Sequence, residues 1–198
     1  MPEVRVLVIA GSSRPGSFNR CLADVAASMA RSAGASVTAV DLRALALPVY
    51  DAEIEAAGLP AGALELRRLV APHDAVIVAS PEYNGFPTPL LINALDWTSR
   101  VPAADGLPAG LAATAGKVCG VISASPGALG GLRSLLFVRQ FLSLAIGMLV
   151  VPEQFALPLA GKAFDAQGQF IDAKQQAAVQ RVVDAVLRTA TALKVATT

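Results

Sequence analysis

The chain alternates short apolar runs with longer segments whose apolar positions return every three or four residues. Val4 to Ala10, VRVLVIA, is apolar on both faces and rich in β-branched residues, the pattern of a strand covered on both sides. Ser17 to Gly34 predicts a helix, with Ser17 or Asn19 as its cap and Gly34 as its stop. A second strand is predicted over Ser36 to Leu42, and a Pro- and Gly-containing connection leads to a helix ending near His73. Asp74 to Ser80 predicts the third strand, followed by the loop PEYNGFPTP and a helix from about Leu90 to Arg100. Beyond a Pro/Gly/Ala-rich connector, Lys117 to Ser125 predicts the fourth strand, and PGALGG opens a long apolar helix ending near Gly147. MLVVPEQF predicts the fifth strand. A surface excursion with a turn at Gln167-Gly168 then precedes a last helix from Asp172 towards Lys194.

Strands alternating with helices require right-handed crossovers, and hence a parallel sheet with helices on both faces. The expected fold is therefore α/β, a five-stranded parallel sheet in a three-layer sandwich, and 198 residues suit one domain over 1–198. In an open sheet of this kind ligands bind beyond the carboxyl ends of the strands. The loops after the first, third and fourth strands all leave from that edge.

Composition narrows the function. Hydrophobic residues make up 54% and charged ones 16%, with a net charge of +1, which argues against a nucleic-acid groove or a polybasic membrane patch. The most apolar stretch, FLSLAIGMLVVP, is shorter than the ~20 residues a bilayer requires. The start carries no basic leader with a cleavage site, so the expectation is a soluble cytoplasmic protein. Cys21 and Cys119 lie far apart without metal-ligand spacing, as expected of small buried hydrophobes in a reducing compartment.

The first loop, GSSRPGSFN, is neither a GxGxxG nor a GxxxxGK[ST] motif. It offers Gly11 and Gly16 for a tight backbone, the hydroxyls of Ser12, Ser13 and Ser17, the Arg14 fork, and Asn19 at a helix start. It is either an ordinary strand-to-helix turn or an anion cradle. Its position after the first strand favours a phosphate on the helix N-terminus. In the second loop, Pro81 to Gly85, Tyr83 supplies a flat amphipathic ring and Asn84 can donate and accept, although Pro, Asn and Gly also make routine turns. Glu82 is the odd member, better suited to bonding structural backbone than to catalysis. The third loop, SASPGALGG from Ser123, can bring backbone N–H groups to a negative centre. No GxSxG elbow is present, and the single histidine, His73, precedes the third strand at the opposite end of the sheet, so no Ser–His–Asp triad can assemble. No His/Cys/carboxylate cluster has metal-ligand spacing.

Gly11 to Asn19, together with Pro81-Glu82-Tyr83-Asn84 and Asn93-Ala94-Leu95-Asp96-Trp97, resembles the NADPH-dependent FMN reductase family, which includes bacterial quinone and chromate reductases of flavodoxin-like fold. The resemblance spans nearly the whole chain. It implies FMN held by its phosphate along Ser12, Ser13, Arg14, Gly16, Ser17, Phe18 and Asn19, with the isoalloxazine along Pro81, Glu82, Tyr83, Asn84 and Gly85. Further contacts are implied from Ser123, Ala124, Ser125 and Gly127. It also implies ping-pong hydride transfer from NADPH or NADH to FMN, and on to a quinone, flavin, azo compound or chromate-type acceptor. The cofactor carries that chemistry, so no catalytic acid or base is expected.

Two departures border the implied substrate mouth: Ile92 stands where the family often has lysine, and Phe86-Pro87-Thr88-Pro89 replaces a common Ser-x-Pro-Gly. The helix LLFVRQFLSLAIG is apolar on nearly every side and is expected to pack on another subunit, giving a homodimer or homotetramer. Two other functions fit the fold, a flavodoxin-like electron carrier and a non-enzymatic binder of FMN or another phosphate ligand. The near-neutral charge disfavours the carrier, which would dock through acidic surface.

Overall fold

The computed structural model describes residues 3–196. Five strands, β1 (Arg5–Ala10), β2 (Ser36–Asp41), β3 (Ala75–Ala79), β4 (Val118–Ala124) and β5 (Leu149–Leu157), form one sheet in the order β2-β1-β3-β4-β5. Every pairing is parallel. This is the flavodoxin-like order, with its switch point between β1 and β3.

Alternation along the strands divides the core between two faces. Val6, Val8, Ile77 and Ile122 point to one side, where α1 (Phe18–Ser32) and α7 (Ala173–Ala196) cover them. Leu7, Ile9, Val76, Val78 and Val121 point to the other, beneath α3 (Ala61–Val70), α4 (Pro89–Arg100) and α6 (Leu132–Gln140). β3 and β4 are buried along their whole length, which is why they read as apolar runs, broken only by Ser123 of β4. β5 lies at the sheet edge and tolerates Pro152 because the β4–β5 register shifts between Cys119 and Val121.

Both connectors hold short helices that the hydrophobic pattern does not announce, α2 (Ala52–Ala57) and α5 (Gly110–Thr114). α2 buries none of its residues; Asp51 starts it by accepting from the N–H groups of Glu53 at 2.7 Å and Ile54 at 3.2 Å. The long helix expected up to Gly147 changes winding on the way: α6 stops at Gln140, and the helical path continues as a π-helix over Phe141–Ala145. Buried Arg67 of α3 pins the connector before α5, donating from Nη1 to the carbonyls of Pro102 (3.0 Å) and Ala104 (3.3 Å). None of the described helices is long and apolar enough to cross a membrane.

Candidate functional site

At the carboxyl edge of the sheet the first loop leaves β1 towards α1, and the second leaves β3 towards α4. A cleft of about 370 Å³ opens between them and the third loop, within the range of about 300–1,000 Å³ typical of small-ligand sites. Ser12, Arg14, Ser17, Phe18, Asn19, Pro81, Glu82, Tyr83, Ala124 and Ser125 line it together with Pro126 of the third loop, so all three loops meet there. Ser13, Gly16, Asn84, Gly85, Ser123 and Gly127 stand outside the cleft wall.

The first loop is held at its ends and open in the middle. The Gly11 N–H donates to the Ala79 carbonyl at 2.9 Å, and the Gly11 carbonyl accepts from Thr88 Oγ1 at 2.7 Å, tying β1 to β3 and to the start of α4. A Cβ on Gly11 would come within 3.2 Å of that hydroxyl oxygen, so glycine permits the approach. At the other end Ser17 caps α1, its Oγ accepting from the Asn19 N–H at 3.2 Å. Between them the N–H groups of Ser12, Ser13, Arg14, Gly16, Ser17 and Phe18 find no acceptor among the described residues. Arg14 has no acidic partner among the described residues and rests over the Phe18 ring, with 5.4 Å from its Cζ to the ring centroid. The loop itself contains no carboxylate. A row of free donors on a helix N-terminus beside an unpaired guanidinium is the chemistry of a phosphate site, and the residues present fit that group.

Asn19 lines the cleft and also joins two of its loops. Its carboxamide is buried and spent on Ala124, donating from Nδ2 to the carbonyl at 2.7 Å and accepting at Oδ1 from the N–H at 2.9 Å. It couples the first loop to the third, with one of its two Nδ2 hydrogens engaged.

The second loop is a tight hairpin. Tyr83 and Phe86 exchange both backbone hydrogen bonds, at 2.9 and 3.0 Å, around Asn84 (φ +54°) and Gly85 (φ +87°). Asn84 is thus a turn residue, while the N–H groups of Glu82, Asn84 and Gly85 find no acceptor among the described residues. Phe86 stacks on Phe137 of α6 with centroids 4.4 Å apart, and both Tyr83 and Phe86 are more than half exposed.

Glu82 takes the anion position at the start of α6. Its Oε2 accepts from the Ser134 N–H at 3.3 Å and its Oε1 from Arg133 Nε at 2.8 Å. Burial pushes the carboxyl up, but the Arg133 guanidinium and the Ser134 N–H outweigh it and hold the pKa below the usual glutamate value. This N-terminus is therefore filled by the protein's own carboxylate, leaving that of α1 open to a ligand.

The third loop also spends its donors internally. Ala124 N–H goes to Asn19, Ser125 N–H to the Leu157 carbonyl at 3.1 Å, and Gly127 N–H to Ser125 Oγ at 3.2 Å. Ser123 is fully buried on β4, facing Gly131 (φ +92°), where a Cβ would come within 1.9 Å of its hydroxyl oxygen. Ala124 and Ser125 shape the cleft wall and present no free backbone donor to it, while Ser123 and Gly127 support them from outside it.

Asn93 and Trp97 act away from the cleft. Asn93 Nδ2 (2.8 Å) and Trp97 Nε1 (2.7 Å) both donate to the Pro48 carbonyl, and Asn93 Oδ1 accepts from the Tyr50 N–H at 2.8 Å. His73 lies at the opposite edge of the sheet, its Nδ1–H donating to the Leu69 carbonyl at 2.5 Å.

Comparison with known proteins agrees with the geometry. Residues 4–162 match the family described as NADPH-dependent FMN reductase. An NAD(P)H-dependent FMN reductase of Pseudomonas aeruginosa is 32% identical over 185 residues, 93% of this chain and 94% of that protein. A quinone reductase of Escherichia coli is 32% identical over 173 residues, 86% of each. Among solved structures, the flavoenzyme NAD(P)H:(acceptor) oxidoreductase FerB of Paracoccus denitrificans superposes with a TM-score of 0.76 at 27% identity, covering 93% of this chain and 98% of its own. The chain belongs to the NADPH-dependent FMN reductase family.

Proposed function

We propose that the cleft binds FMN by its phosphate and that the protein is an NAD(P)H-dependent reductase of small planar acceptors, quinones among them. The observation that carries this reading is the row of N–H groups from Ser12 to Phe18 at the start of α1, beside Arg14, all without an acceptor or acidic partner among the described residues. The hydroxyls of Ser12 and Ser17 add donors, and the helix dipole favours the dianion. When bound, FMN supplies the hydride chemistry between NAD(P)H and the acceptor.

The chain's own residues bind and orient. Pro81 to Tyr83 would border the isoalloxazine with Asn84 and Gly85 just beyond the cleft wall, and the N–H groups of Glu82, Asn84 and Gly85, without acceptors among the described residues, would be available to its polar edge. Tyr83 and Phe86 give an exposed apolar margin suited to a flat acceptor, and NAD(P)H and acceptor would use the site in turn. No side chain is assigned a proton-transfer role.

The exposed Leu132, Leu136 and Phe137 of α6 support a homodimer or homotetramer; a monomeric mass by light scattering would overturn that assignment. The free Cys21 and Cys119 suit a reducing cytoplasm.

The test is an anaerobic absorption spectrum of the purified protein loaded with FMN, before and after NADPH. Bleaching of the flavin band and its return on adding a quinone, with no partner protein, is the expected result. Failure to take up FMN would overturn the site. Uptake without bleaching would overturn the reductase reading and leave an electron carrier or binder.

A further inference from the structure

We propose that Arg43, which belongs to none of the motifs above, is a positioning residue for the phosphate loop; the proposal rests on the cleft being an FMN phosphate site. Arg43 follows the end of β2, where Asp41 organises the turn. Asp41 Oδ2 pairs with Arg20 Nη1 of α1 at 2.9 Å, while its Oδ1 accepts from the Arg43 N–H at 3.0 Å. With its backbone fixed in this way, Arg43 reaches across and donates from Nη1 to the Ser13 carbonyl at 3.2 Å. Among the described residues, this is the one hydrogen bond that ties the loop between Gly11 and Ser17 to the rest of the chain.

The consequence follows from peptide geometry. The Ser13 carbonyl and the Arg14 N–H belong to one planar trans peptide unit, so they point in opposite directions. Drawing the oxygen towards β2 turns the Arg14 N–H away from β2. The peptide is thereby set as a donor before any ligand arrives. A loop whose other donors are unpaired would otherwise lose conformational freedom on closing round a phosphate, and the tether removes part of that cost in advance. The Arg20–Asp41–Arg43–Ser13 chain therefore links α1, β2 and the loop in a single strap.

The experiment compares FMN with riboflavin, which lacks the phosphate, as ligands of the apoprotein, read by flavin fluorescence quenching for wild type and Arg43→Met. Arg43 is exposed, so methionine opens no buried void. Wild type should prefer FMN, and the variant should lose roughly tenfold in FMN affinity, the scale of one hydrogen bond, with riboflavin affinity unchanged. That loss should persist at about 1 M salt, where the screening length falls to about 3 Å. A loss that vanishes at high salt would reduce Arg43 to a diffuse positive charge and overturn the positioning role, as would an unchanged FMN affinity. Equal affinity of wild type for the two ligands would overturn the phosphate site itself, and the proposal with it.

Discussion

The carboxamide of Asn19 meets the backbone of Ala124 twice, donating to its carbonyl at 2.7 Å and accepting from its N–H at 2.9 Å. A residue at the start of α1 thus closes the end of β4 much as a neighbouring strand would, and the first and third loops are held as one body. The prediction is that Asn19→Ala destabilises the protein by about 2 kcal/mol, because two buried backbone groups lose their partners. The same change should loosen FMN. Denaturant midpoints and the flavin retained after gel filtration measure the two effects. Loss of flavin with full stability would instead return Asn19 to the role of a direct ligand.

Asn19→Asp separates geometry from charge at the same place. The carboxylate keeps an acceptor for the Ala124 N–H but turns an oxygen towards the Ala124 carbonyl, and it adds negative charge beside the phosphate site. FMN affinity should therefore fall further in Asn19→Asp than in Asn19→Ala, with the gap narrowing as salt rises. Equal affinities for the two variants at low salt would contradict this.

Glu82 joins the second loop to α6 through Arg133 and the Ser134 N–H, and its folded pKa lies below the usual glutamate value. Between the folded and unfolded pKa values the unfolded chain binds more protons, so stability rises with pH across that window. The contribution is complete above the unfolded value of about 4.3 and is lost as pH falls through the folded one. Glu82→Gln should flatten this part of the acid limb, and at neutral pH it should cost about 1 kcal/mol, a modest figure because the Arg133 side chain is largely exposed. Urea midpoints at several acid pH values, wild type against variant, provide the check; parallel curves would remove Glu82 from the pH dependence.

Asn93 and Trp97 converge on one carbonyl, that of Pro48, and Asn93 also takes the Tyr50 N–H. The Asn-x-x-x-Trp part of the family signature is, in this chain, a clamp on the segment that leads into α2. Asn93→Ala should cost about 2 kcal/mol by unpairing the Tyr50 N–H and removing one of the carbonyl's two donors, yet leave the flavin content of the folded protein unchanged. A variant of normal stability that emerges without flavin would contradict the structural role.

How far the sequence discloses this depends on the range of each interaction. The sheet was legible because β3 and β4 are buried along their whole length and β1 over Val6 to Ile9, so these strands are apolar at nearly every position, with Ser123 of β4 and Arg5 at the exposed start of β1 as exceptions. The convergence of three loops on one cleft followed from the strand order. α2 was not legible from periodicity, since it buries nothing, although the Asp51 cap and Gly58 stop stand in plain view around it. Glu82 looked out of place beside an anion because the cation that neutralises it lies 51 positions away. The clamp of Asn19 on Ala124 was not legible because its partner lies 105 positions away on another strand. Local signals disclose caps and turns; which side chains are already occupied is decided by contacts that only the fold creates.

Cys119 offers a last test of how closed the sheet is. It lies in the middle layer on β4, fully buried, and burial pushes its thiol up to about 12. A thiol is alkylated through its thiolate, so low ionisation and lack of access act in the same direction. Cys21, on α1, is partly exposed. Iodoacetamide at mildly alkaline pH should therefore label Cys21 in the native protein and spare Cys119, which should react only after denaturant opens the sheet. Peptide mass mapping of labelled samples gives the answer. Labelling of Cys119 at the rate of Cys21 under native conditions would mean that β4 separates from its neighbours far below the global unfolding free energy, and the rigid cleft wall built on Ala124 and Ser125 would fall with it.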